Sequence, residues 1–314
     1  MLKIMKYNAI NAKISGMSSK LLSQGDYLSL CNYMSTHDAA AALKNYVMYM
    51  RINSDGTNLE SQLFPLLEED YFKICSFIHD RDIKKYLECL LMKRYIYVAK
   101  QGLRTAYSEG MNINNFVETL GDSNIREFLK NTFKSGMELS QLEILLDLHY
   151  YTNLWRSKNR YLRGANKTIA THMNGTEIDM YNLCRIYGLK KHYKLSKELM
   201  YKYILPINYK ISPQTIGQLI ETDREVYVTE LINGTPYREY FTENGGDLYK
   251  AVHNSLTRTK SKHPNSIAQI LYYLFKKEME LRNIISIFES LNYSLEHNEI
   301  MSKLHYMDRR EVHA

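Results

Sequence analysis

Apolar residues recur three and four positions apart through most of the chain, the period at which side chains line one face of an α-helix. From Asn58 to Tyr107 the segments LFPLLEEDYFKICSFI and IKKYLECLLMKRYIYVAKQGLRTAY carry that spacing. It continues over 124–155, where Leu142, Ile144, Leu145, Leu148 and Tyr151 make one stripe. The clearest instance is HPNSIAQILYYLFKKEMELRNIISIFESL, with Ile267, Ile270, Leu271, Leu274, Leu281, Ile285 and Phe288 on one face. Pro264 and Asn265 mark its start. Nearer the N-terminus, Ser18 or Ser19 is placed to cap a short helix, and Gly25–Asp26 supplies a break and a second start. Residues 225–241 pull two ways. EVYVTEL and TPYREYF flank Asn233-Gly234 as the arms of a β-hairpin would, while Pro236 directly after the turn weakens that pattern.

An internal repeat organises these helices. Glu177–Tyr187 reads EIDMYNLCRIY and Glu278–Phe288 reads EMELRNIISIF, at an offset of 101 residues. Glu177 meets Glu278, Asp179 meets Glu280 and Asn182 meets Asn283. The apolar set Met180, Leu183, Cys184 and Tyr187 meets Leu281, Ile284, Ile285 and Phe288, which is one buried helical stripe. An interior Asn is a mediocre helix former, so its recurrence predicts a hydrogen-bonded role against a neighbouring helix. A weaker third copy lies about 81 residues before the first, around Ala99, Gly102, Leu103 and Ala106. There Gln101 takes the Asn place and Arg104 matches Arg185. The expected fold is therefore all-α, with three similar lobes over 1–115, 116–215 and 216–314.

Composition narrows the chemistry. The 14 Gly and 5 Pro of 314 residues leave little room for a repetitive all-β or collagen-like chain, and 45% apolar content rules out wholesale disorder. Cys31, Cys75, Cys89 and Cys184 form no CxxC pair, which argues against zinc fingers and thioredoxin-like redox chemistry and fits a reducing, intracellular compartment. The N-terminus has no secretory pattern, and apolar runs such as 86–92 are soon interrupted by Lys or Arg, so no spanning helix is expected. The chain has no phosphate-binding GxxxxGK[ST], no GxGxxG, no HExxH and no GxSxG. Glu68–Glu69 and Glu177/Asp179 are the carboxylate pairs available for acid–base work, and nothing in the sequence places them in a pocket. His149 reads as a core-edge histidine. No cofactor, no metal and no catalytic residue is expected.

Four segments carry a resemblance to a known family. These are Tyr7-x-x-x-Asn11-Ala12-Lys13-Ile14 with Met17 and Ser19-x-Leu21-Leu22, then Leu90–Arg104, then EIDMYNL at 177–183, and HPNSIAQILYYLFKKEMELRNI at 263–284. Together they resemble the C-subunit family of bacterial and archaeal V-type (A-type) ATPases, whose eukaryotic counterpart is the d-subunit. Asn233-Gly234-Thr235-Pro236-Tyr237 is similar to a turn between that family's third-lobe helices, so 225–241 is expected to form helix–turn–helix rather than a hairpin. The first-lobe copy departs most, through Gln101, Gly102 and Ala106. The resemblance implies a funnel-shaped, non-catalytic socket on the cytoplasmic face of the membrane. Such a socket is a monomer within its complex, seated on the membrane rotor ring and gripping the central stalk to pass torque between ATP chemistry and proton or sodium movement.

The charge is the one feature that argues for something else. The net charge is +7, concentrated in WRSKNRYLRGANK (155–167) and in 190–210, and the 27 Tyr would suit stacking. That combination keeps a basic α-helical module binding RNA or another polyanion as the alternative. Under the family reading no nucleic acid is involved, and Arg156, Arg160, Arg163, Lys190, Lys191, Lys194 and Lys197 are expected to meet a partner protein of the complex. The same residues also read as ordinary solvated helix faces.

Overall fold

Polar residues at the right offsets start most of the helices. Ser23 forms a capping box with Asp26 to open a helix over Gln24–Cys31, and Ser35 caps the next. Asp80, Asn112, Asp122, Ser196 and Ser212 do the same further on, each side chain accepting from a backbone N–H of the first turn. The computed structural model describes residues 2–53, 59–192 and 195–305. Among these the helices are α1 (Leu2–Ser18), α2 (Gln24–Cys31), α3 (Thr36–Leu43), α4 (Leu59–Ser76), α5 (Arg81–Ser108), α6 (Ile113–Thr119), α7 (Ser123–Thr132) and α8 (Leu139–Tyr161). They continue as α9 (Gly164–His192), α10 (Lys197–Lys202), α11 (Pro213–Glu221), α12 (Glu225–Asn233), α13 (Leu248–Lys262), α14 (Ala268–Asn292) and α15 (His297–Lys303). The protein is all-α.

Several expected boundaries move. Neither Ser18 nor Ser19 opens a helix, because α1 runs to Ser18 and the start signal is Ser23. The long C-terminal helix begins at Ala268, where Ser266 Oγ accepts from the Ala268 N–H, rather than at Pro264. Along α8 the buried stripe contains Leu146 and Leu154, while Leu145 and Leu148 are only half-buried. Over 225–241 the first arm is helical, as α12, and the second is a single 3-10 turn at Arg238–Tyr240. A small hairpin does follow, displaced to β1 (Phe241–Thr242) and β2 (Gly245–Gly246), two antiparallel residue pairs in register. Pro236 lacks a backbone donor, so it cannot extend a ladder through 234–240.

Contact density separates two units, Asp80–Val252 and the pair of segments Met1–His79 and His253–Ala314. In the first, α5 and α8 lie along each other and α8 packs on α9. Gly110 ends α5 with φ +65°, and the Met111 N–H reaches back to the Ala106 carbonyl, a closure that requires left-handed backbone. Gly102, where the first-lobe copy departs from the repeat, seats a ring: a Cβ there would fall 2.4 Å from Phe116. Met180, Leu183, Ile186, Leu219, Ile220 and Ile232 are at the centre of a core shared by α9, α11 and α12. In the second unit α14 is the axis, with α1, α2, α3, α4 and α15 packed round it. It is buried on most of its circumference, from Ile270 to Leu291.

Candidate functional site

The repeat helices α9 and α14 present the same polar side chains to similar partners. Asn182 Nδ2 donates to the Leu205 carbonyl at 3.0 Å, and the Leu205 N–H donates to Asn182 Oδ1 at 2.9 Å. Asn283 Nδ2 donates to the His305 carbonyl at 2.9 Å and its Oδ1 accepts from the His305 N–H at 2.7 Å. Each Asn thus holds both backbone groups of one residue just past a short helix, α10 or α15, rather than a residue inside a neighbouring helix. A primary amide carries one donor and one acceptor side by side, the geometry a peptide unit also has.

The acids three residues earlier hold a second stretch of chain. Asp179 accepts from the Tyr209 N–H at 3.1 Å, the Lys210 N–H at 2.7 Å and the Tyr237 hydroxyl at 3.0 Å. Burial nevertheless pushes its carboxyl above the ordinary range, against those hydrogen bonds. Glu280 accepts from the Leu22 N–H at 2.9 Å, from Lys277 Nζ at 2.8 Å and from the Tyr49 hydroxyl. Burial first, and the Glu280 charge second, hold the Tyr49 phenol far above its usual value. Lys277 and Glu280 are both almost fully enclosed, at 0% and 2% exposure.

The outermost acids differ. Glu177 is buried and pairs with Lys93 of α5 at 2.9 Å and with the Tyr151 hydroxyl at 3.3 Å. Glu278 is half-buried and pairs with Arg282 of its own helix at 2.9 Å. In the third copy Gln101 donates to the Tyr97 hydroxyl at 3.5 Å, without a two-point hold on backbone among the hydrogen bonds of the described residues. The matched arginines do behave alike. Arg104 pairs with Glu143 at 2.6 Å and Arg185 with Asp147 at 3.5 Å, acids one turn apart on α8.

The predicted basic residues split into two groups. Lys190 Nζ donates to the Ile220 and Thr222 carbonyls at 2.9 and 2.5 Å, and burial lowers its pKa. Lys197 Nζ donates to the Glu221 carbonyl at 2.8 Å and pairs with Glu221 and Asp223. Both therefore satisfy the C-terminus of α11, where orphan carbonyls and the helix dipole favour a cation. Lys191 is exposed and donates to the Glu243 carbonyl at 2.5 Å. It rims a cleft of about 360 Å³ lined by Tyr187, Ile232, Asn233, Phe241 and Glu243. Arg156, Arg160 and Arg163 are exposed at the α8–α9 corner. Lys194 lies outside the described residues.

Part of the tyrosine content is built into the core. Tyr27, Tyr49, Tyr86, Tyr150, Tyr151, Tyr237 and Tyr273 are all buried. Their hydroxyls go chiefly to buried acids and amides, as Tyr273 to Asp70 at 2.6 Å and Tyr86 to Asn174 at 3.1 Å. His149 stacks on Phe128 with ring centres 4.0 Å apart, and its Nε2 sits between Asn124 Oδ1 and Asn153 Nδ2. Sequence reasoning missed Lys277, Tyr49, Tyr209, Tyr237 and Lys158. Lys158 and Tyr209 fall inside the basic segments 155–167 and 190–210, and Lys277 left a signal of its own, since it lies on the same helical stripe as Glu280 and Asn283.

Among the described residues no group of three or more His, Cys, Asp or Glu is placed to hold a metal ion, and no helix is long and apolar enough to cross a membrane. The buried carboxylates hold backbone and phenol groups. The chemistry on display is the fixing of one chain segment against another. Among curated proteins none matches the chain. The model of the ATP synthase (C/AC39) subunit family matches residues 10–303, nearly the whole chain, and the chain belongs to that family.

Proposed function

We propose that the chain is the non-catalytic rotor subunit that links the membrane ring of a rotary ATPase to its central stalk. Family membership makes it a subunit of such a complex, and this match over residues 10–303 is the observation that carries the reading. The linking role, the position on the cytoplasmic face and the partners are what we add. Torque can pass through a subunit only if its segments do not slip past one another. The paired holds made by Asn182, Asp179, Asn283 and Glu280 support that requirement, because each ties a distant loop to a long helix through buried or part-buried hydrogen bonds. The repeat helices also support three lobes over 1–115, 116–215 and 216–314, a division drawn by internal similarity rather than by contact density.

Partner contact falls to side chains that the fold leaves outside. Arg156, Arg160, Arg163 and Lys191 are exposed, and they speed docking of an acidic stalk surface by long-range attraction. Lys190 and Lys197 contribute to that field while serving α11, and Lys194 is assigned with them from sequence alone.

The test is reconstitution. A rotary ATPase assembled with a tagged copy of this chain should yield ring and stalk subunits together on the tag. Omitting the chain should uncouple ATP hydrolysis from ion movement. ATP-driven pumping that survives its omission refutes the reading, as does micromolar binding of magnesium-ATP to the isolated chain.

A further inference from the structure

Between α13 and α14 two lysines stand side by side without a carboxylate. From Leu248 to Lys277 the chain has no Asp or Glu, while Arg258, Lys260, Lys262, Lys276 and Lys277 all fall in that span. His253 seats α13 on α14, its ring tilted against those of Tyr272 and Phe275 with centres 5.7 and 6.2 Å apart. Two turns further along α13, Lys260 lies with Nζ 3.9 Å from the centre of the Tyr272 ring. Lys276 is one turn beyond Tyr272, on the same side of α14. Burial lowers the Lys260 pKa, and the nearby Lys276 charge lowers it further.

The fold brings no counter-charge to this pair. Among the described residues no carboxylate forms an ion pair with Lys260 or Lys276. The nearest acids along α14 are already engaged, Glu278 by Arg282 at 2.9 Å and Glu280 by Lys277 at 2.8 Å. Arg258 and Lys262 do not share the seam. Each is two residues from Lys260, which is about 200° round the helix axis, and both are exposed. Two hydroxyls border the seam, those of Tyr272 and Thr257. They lie 3.4 and 3.5 Å from His253 Nε2, lengths at which a hydroxyl is readily turned to a better acceptor.

An anion from outside would relieve the repulsion. A carboxylate neutralises one ammonium and leaves the other. Phosphate, free or as a monoester, carries close to two charges near neutral pH and presents three oxygens, enough for both ammoniums and a hydroxyl. Lysines bind it as point charges, with no need for the planar fork of Arg. A nucleic-acid strand would call for cations that follow its backbone, and the flanking Arg258 and Lys262 face away from the seam. We propose that the α13–α14 seam binds a phosphate dianion, free or as a monoester, between Lys260 and Lys276, with the Tyr272 hydroxyl as a third donor. The site is independent of the rotor reading. Two half-exposed ammoniums hold such an anion with a Kd of about 1 mM, well short of the micromolar magnesium-ATP binding that would refute that reading.

The full chain is titrated with inorganic phosphate at about pH 7.5, with ionic strength held by sodium chloride. Phosphorus NMR line width and melting temperature are followed in parallel. We expect saturable broadening and a rise in melting temperature that acetate at equal ionic strength does not give. K260M/K276M, its fold checked by circular dichroism, should bind about tenfold or more weakly, and K276Q alone should also lose affinity. R258Q/K262Q removes equal charge from the far side of the same helix and should bind as the parent chain does. Equal weakening in R258Q/K262Q, an equal response to acetate, or no saturable phosphate binding would each overturn the proposal. So would capture of phosphatidylglycerol vesicles through Lys260 and Lys276 by a chain that does not respond to inorganic phosphate, since the seam would then be a lipid-surface contact.

Discussion

Lys277 occupies in α14 the place that Thr176 occupies in α9, three residues before the acid in each helix, and the difference decides how each acid is neutralised. Glu280 has an ammonium 2.8 Å away. Asp179 relies on two backbone N–H groups and a phenol. One repeat therefore uses a buried ion pair where the other uses dipoles.

Breaking that pair should be costly. Lys277→Met leaves the Glu280 carboxylate enclosed without a cation, at about 3–5 kcal/mol. Adding Glu280→Gln keeps an acceptor for the Leu22 N–H and removes the stranded charge. Urea unfolding should therefore find K277M/E280Q more stable than K277M alone. Equal or greater loss in the double variant would contradict the assignment.

The asparagine holds make a second comparison. Asn182→Leu strands the N–H and C=O of Leu205 in a buried setting, costing about 1–3 kcal/mol. Asn283→Leu does the same to His305 where water has partial access, so its cost should be the smaller. Hydrogen exchange should show the Leu205 amide losing protection in the first variant and the His305 amide in the second.

Gly175 sets helix propensity against packing. In an open helix, Gly→Ala gains about 1 kcal/mol. In α9 a Cβ at this position would stand 2.3 Å from Tyr209 Cγ and 2.8 Å from its Cβ, the fixed root of that side chain. Overpacking of this kind costs about 1–3 kcal/mol, so Gly175→Ala should lower the melting temperature. Gly102→Ala meets only the swinging tip of Phe116 and should be closer to neutral.

Lys158 should leave a signature in the pH dependence of stability. Its folded pKa, about 8, lies below the ordinary 10.5. Between those values the unfolded chain binds more protons at this group, so its contribution to stability rises with pH across that window. Below pH 8 the buried charge is a standing cost. Lys158→Met should raise the melting temperature at pH 7, and the difference from the parent chain should shrink as pH climbs from 8 to 10. A difference that stays constant over that range would remove Lys158 as its source.

The sequence by itself determined the helices and the likeness of α9 to α14, because both are written in local periods. Capping residues such as Asp80 and Ser212 act on backbone within three positions, and the stripe of α14 is visible at spacings of three and four. The recurrence of Asn182 at Asn283 could be read the same way. What each of these residues holds was decided by the tertiary structure alone. Glu280 meets Leu22 across 258 positions of chain, and no periodicity encodes a partner at that separation. Lys190 and Lys197 read as free charge in the sequence, yet the fold brings the end of α11 against them and spends them on its carbonyls. Several tyrosines are core rather than surface, because a phenol can be buried once an acid or amide meets its hydroxyl, as Asp70 meets that of Tyr273. The hairpin pattern at 225–241 was real but misplaced. Helical packing of Val228 and Ile232 against α9 outweighs the local strand preference of that segment, and the chain pairs as a hairpin only past it, turning at Glu243 and Asn244.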